Sequence, residues 1–75
     1  MDPKQLAKIK RQLQKIFKTE KSVTISTLEN THIKIIAHRF FGAHIDNVST
    51  LAKENNLLYY ITTFQNQLYL MLFEP

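Results

Sequence analysis

The chain predicts a small α+β fold in the order helix, hairpin, helix, hairpin, with the helices over one face of a four-stranded antiparallel sheet. Three observations predict it. Apolar residues recur at helical spacing through the first 18 positions, residues 22–35 alternate around a turn, and aromatic and branched residues dominate 57–73. At 75 residues the chain makes one domain, residues 1–75, with a small core. Hydrophobic residues make up 44%, with five Phe and three Tyr among them, which argues against intrinsic disorder.

Asp2-Pro3 opens the first helix with an N-cap side chain and a proline at the first helical position. Good helix formers run through Lys18, and Thr19–Ser22 ends the run. Ser22–Ser26 alternates polar and β-branched residues, a strand with Val23 and Ile25 inward. Glu29-Asn30 supplies a turn, after which Ile33 and Ile35 flank Lys34 and complete the hairpin. Gly42 breaks the chain there, and Asp46 caps a helix to about Asn55 that buries Val48, Leu51 and Ala52. Leu57–Thr63 and Gln67–Phe73 are the last strands, joined by Phe64-Gln65-Asn66. Leu68, Leu70 and Leu72 line one side of the final strand while Tyr69, Met71 and Phe73 line the other. A sheet face open to water is normally polar, so this second apolar side requires a cover.

Residues 32–41 admit an alternative, because Ile36, Ala37, Phe40 and Phe41 also mark one face of a helix. Across Lys34–Lys53, Ala37, Phe41, Ala43, Val48 and Leu51 occupy apolar positions around a turn at Gly42, a pattern that resembles the helix-turn-helix family. The resemblance implies a winged helix whose third helix enters the major groove, with Asn47, Ser49, Thr50, Lys53 and His44 as its polar contacts. The hairpin fold ranks ahead of it, since Val23–Ile35 alternates well and Thr31, Ile33, Ile35 and Ile36 are β-branched.

Charge is concentrated in one element. Residues 1–21 hold seven basic and two acidic groups, whereas residues 22–75 hold three basic and four acidic ones. Lys4, Lys8, Arg11, Lys15 and Lys18 fall within an arc of about 80° at the helical advance of 100° per residue. Leu6, Ile9, Leu13, Ile16 and Phe17 fill the other side. A row of cations on a rigid face is what a phosphate backbone requires, because each contact releases a counterion. The bland reading is a solvated helix face. Lysine outnumbers arginine in the row, which favours positioning over base reading.

Other chemistries find little support. With no cysteine there is no disulfide, thiolate nucleophile or cysteine-ligated zinc, and an intracellular setting fits. His32, His38 and His44 are spaced by six, which suits no shared helix or strand face, so no metal or cofactor is expected. The single glycine, Gly42, leaves no glycine-rich phosphate loop, and no nucleophile or paired-carboxylate pattern points to an enzyme. No transmembrane stretch or signal peptide is read, and the cytoplasm is the expected location.

The expectation is therefore a non-enzymatic nucleic-acid-associated protein that meets DNA or RNA through its first helix. Tyr59, Ile61, Tyr69, Met71 and Phe73 are expected to form an interface patch, the seat of a homodimer. The rival expectation is a protein-interaction module, an inhibitor or assembly factor, whose basic helix meets an acidic protein partner.

Overall fold

A computed structural model describes residues 1–20 and 22–75. The elements are α1 (Pro3–Ile16), β1 (Thr24–Leu28), β2 (His32–Ala37), α2 (Gly42–Glu54), β3 (Leu58–Phe64) and β4 (Gln67–Phe73). The strands form one antiparallel sheet in the order β1-β2-β4-β3, an α+β fold. Lys21, one of the seven N-terminal basic residues, lies outside the described residues.

Local chemistry accounts for the helix ends. The Asp2 carboxylate accepts the Gln5 N–H at 2.8 Å, closing the N-terminus of α1 as an N-cap should. α1 ends at Ile16, so Lys18 stands in the turn that follows and not on the helix. α2 starts four residues before the expected cap at Asp46. Phe41 takes the N-cap position and donates its N–H to His44 Nδ1 at 3.4 Å, while Gly42 opens the helix instead of breaking the chain. At the other end Leu57 N–H reaches Ala52 O at 2.8 Å and Asn56 N–H reaches Lys53 O at 3.3 Å. Those two bonds make a Schellman motif, with Asn56 in the left-handed region at φ 54°.

Both hairpins turn on paired left-handed residues. Glu29 and Asn30 (φ 51° and 61°) sit in a turn closed by Thr31 N–H to Leu28 O at 3.0 Å. Gln65 and Asn66 (φ 50° and 65°) form the β3–β4 turn alone, since Phe64 pairs directly with Gln67. Phe64 therefore belongs to the strand and not to the loop. β1 is displaced by two residues from the expected Ser22–Ser26, although Val23 and Ile25 still pack against the core.

The helix-turn-helix reading is overturned here. His32–Ala37 is a strand paired on both sides, with β1 and with β4, so the motif's first helix does not exist. Ile33 and Ile35 are stiff at χ1 and fit a pleated surface, and both are fully buried there. The implied major-groove helix falls with it, and so does the base-reading role of His44, Asn47, Ser49, Thr50 and Lys53.

A single core cluster lies between the helices and the sheet. Leu6, Ile9, Leu13 and Phe17 of the first helical segment meet Val48, Leu51 and Ala52 of α2 over Ile33, Ile35, Leu70 and Leu72. Registers place those four strand residues on one face, so both helices cover the same side. Among the described residues no element covers the other face. It carries Leu28, His32, Lys34, Ile36, Leu58, Tyr60, Phe64, Tyr69, Met71 and Phe73.

Candidate functional site: the basic helix and the open sheet

Lys4, Lys8, Arg11 and Lys15 are exposed along α1, and Lys18 is exposed just beyond it. The apolar side of the same helix fixes their direction. With Ile9 and Leu13 wholly buried, Arg11 and Lys15, each two positions further on and about 160° around the helix, must point to solvent. Lys4 to Lys15 spans about 16 Å at 1.5 Å per residue. Among the described residues the one ion pair joins the Met1 ammonium to Glu74, so none of the five cations is neutralised by a carboxylate.

Lys15 also borders a groove of about 300 Å³ between the helices. Gln12 and Ile16 line it from α1, and Asn47, Thr50, Leu51 and Glu54 line it from α2. Gln12 Oε1 is buried there without a hydrogen-bond partner. Asn47 and Thr50 thus stand next to one end of the basic row, although they do not form a reading helix. Thr50 Oγ1 donates to Asp46 O at 3.0 Å, an internal bond that holds its hydroxyl against the helix.

The five residues expected to share an interface patch are not brought together. Tyr59 and Ile61 pair with Leu72 and Leu70, on the helix-bearing side, while Tyr69, Met71 and Phe73 lie on the open face. Leu58, Tyr60 and Phe64 join the open-face group instead. The cause is the turn. A three-residue loop beginning at Phe64 would pair Thr63 with Gln67 and put Tyr59 beside Met71, and the actual two-residue turn shifts the register by one. A one-residue shift moves every side chain of a strand to the opposite face.

The open face carries two groups of touching rings. His32 stacks on Phe73 at 5.5 Å, Tyr60 meets Phe73 edge-on at 5.6 Å, and Phe64 meets Tyr69 edge-on at 6.0 Å. Met71 is only 8% exposed although no helix covers it, because Lys34 and Tyr60 flank it from the neighbouring strands. Lys34 Nζ lies 5.8 Å from the centre of the Tyr69 ring. Sequence reasoning missed Lys34 in this setting, and only the β2–β4 register reveals it.

The three histidines are dispersed. His32 Nδ1 is 2.8 Å from Thr31 Oγ1, His44 caps α2 and packs on Phe17, and His38 is exposed beyond the end of β2. Among the described residues no helix is long and apolar enough to cross a membrane.

No family model, curated protein or solved structure matches this chain, so the geometry alone carries the functional reading.

Proposed function

We propose that the chain is a non-enzymatic, cytoplasmic binding protein that associates with nucleic acid through the phosphate backbone. The observation that carries this is the row Lys4, Lys8, Arg11 and Lys15, exposed on the solvent side of a helix whose other side is anchored in the core, with Lys18 exposed in the turn beyond it and none of the five ion-paired among the described residues. Cations held on a rigid scaffold gain affinity by counterion release and carry no base preference. Four lysines against one arginine fit positioning better than bidentate reading. Loss of the helix-turn-helix leaves this backbone attraction without a sequence-reading element.

A second reading, an inhibitor or assembly factor that binds an acidic protein, is favoured by one observation. The strand assignment of His32–Ala37 removes the reading helix and leaves an uncovered apolar sheet, a surface typical of protein partners. Retention of duplex DNA and of single-stranded RNA by wild type and by a Lys8→Glu/Arg11→Glu/Lys15→Glu variant separates the two. Loss of both nucleic acids in the variant supports the phosphate reading. Equal retention by both proteins, or none by either, sinks it, and a nuclease-resistant complex with an acidic protein then supports the second.

A homodimer is part of the proposal, because two copies double the phosphate contacts.

A further inference from the structure

Every residue of β3 is exposed, on both faces, although it forms seven consecutive pairs with β4. Leu58 is 50% exposed, Tyr60 47%, Ile61 43% and Phe64 57%. Edge strands normally carry lysine, proline, a bulge or a cover that prevents pairing with another chain. β3 reads Leu-Tyr-Tyr-Ile-Thr-Thr-Phe and has none of these, and no charged residue occurs from Asn55 to Phe73. The opposite edge, β1, is shorter and three of its five residues are Ser or Thr.

We infer that β3 is the homodimer interface: two copies pair β3 with β3 antiparallel about a two-fold axis at Ile61, making one eight-stranded sheet. This deepens the homodimer part of the reading above, on which it rests, and is independent of the phosphate part.

The register follows from the backbone. Phe64 and Gln67 flank a two-residue turn and exchange their hydrogen bonds, so Thr62, Tyr60 and Leu58 also direct N–H and C=O toward β4. Tyr59, Ile61 and Thr63 direct theirs outward, where the monomer offers them only water. Centring the two-fold on Ile61 sets Ile61 opposite its own copy and Tyr59 opposite Thr63 of the second copy. All three outward residues of each strand are then satisfied at once.

Side chains agree with that register. Leu58 falls opposite Phe64 and Tyr60 opposite Thr62 on the open face, while Ile61 meets Ile61 on the helix-bearing face. Aromatic and branched cross-strand pairs of this kind are favourable, and no like charges are opposed. An uncharged strand offers nothing for a charged partner to complement, whereas it complements itself.

The available area fits a weak dimer. Exposed parts of Tyr59, Tyr60 and Phe64 (37%, 47% and 57%) come to about 300 Å² per copy at 150–250 Å² per ring. Leu58, Ile61, the threonines and the strand edge set a ceiling of roughly 1,000 Å² for the pair, which matches the lower bound for a specific interface. An isologous pairing also closes the assembly at that edge. Because the axis runs perpendicular to the sheet, all four helices and both basic rows lie on the same side.

Sedimentation equilibrium without nucleic acid, at micromolar concentration, tests this on wild type and Ile61→Lys. Wild type is expected to be dimeric, and Ile61→Lys, which opposes two like charges at the axis, to weaken the dimer roughly tenfold or more. Far-UV circular dichroism checks that the variant is folded. A second variant guards against misfolding: since the chain has no cysteine, Ile61→Cys places its only thiol on the axis. Facing residues of a hydrogen-bonded antiparallel pair lie about 5.5 Å apart at Cα, within disulfide reach. Rapid oxidation of Ile61→Cys to a covalent dimer, with Thr27→Cys on β1 remaining largely monomeric, supports the interface. A monomeric wild type, or equal cross-linking of the two cysteine variants, overturns it. Phosphate binding by a monomeric protein would leave the basic-row reading intact while removing this one.

Discussion

Truncation of Leu13 to alanine separates the two faces of α1. Leu13 is completely buried, in the core cluster that also holds Ile9 and Phe17 of the same segment. Leucine-to-alanine changes in packed cores cost about 2.7–5.0 kcal/mol, the larger values where the cavity does not collapse. A domain of this length holds a total stability of roughly 4–11 kcal/mol. A loss of about 3 kcal/mol therefore removes a large part of the margin, and lowers Tm by about 12–24 °C at 4–8 °C per kcal/mol. Lys8→Glu and Arg11→Glu lie on the exposed face of the same helix and should change stability by no more than about 0.5 kcal/mol. Urea unfolding followed by circular dichroism measures all three. A cost below about 1 kcal/mol for Leu13→Ala would falsify the docking of α1 described above. So would charge variants that destabilise as much as the core variant.

Two backbone positions give smaller, signed effects. Asn56 holds φ 54° at the Schellman position, so Asn56→Ala should cost about 1 kcal/mol while Asn56→Gly stays neutral or stabilises slightly, as urea midpoints will show. Gly42 has no positive φ, and a Cβ built on it meets nothing within 4 Å. Gly42→Ala should accordingly stabilise by about 0.4–1 kcal/mol in the same assay, and a loss would mean that α2 does not begin there.

Periodicity made α1, the last two strands and the alternating Ile33/Ile35 pair legible, because each has one side committed to the core. Asp2 and Pro3 marked the start of α1 through side-chain and ring chemistry that needs no tertiary context. The start of α2 was illegible for the opposite reason. Its N-cap is a phenylalanine, and the first turn is closed by the His44 ring, a partner that cap preferences do not favour. The faces of β3 depended on whether Phe64 belonged to strand or turn, which paired left-handed residues at Gln65 and Asn66 decide. Asn tolerates that region well and Gln less so, which is why the two-residue turn was not evident. Of the candidate site, Lys4, Lys8, Arg11 and Lys15 were readable from spacing alone, whereas Lys18 falls past the end of α1. Lys34 among the open-face rings was not readable, since its neighbours come from a strand more than thirty positions away.

The proposed function rests on phosphate engagement by the row on α1 and by Lys18 just beyond it. Its most direct test is the slope of log affinity for duplex DNA against log salt concentration, measured on wild type and on the Lys8→Glu/Arg11→Glu/Lys15→Glu variant. Five cations in contact give a slope of about −4.5, equivalent to a loss of roughly 10²- to 10³-fold between 50 and 200 mM salt. With two cations left the variant should fall to about −2 or bind too weakly to measure. A salt-insensitive wild type, or the same steep slope in both proteins, would rule out phosphate binding by these cations.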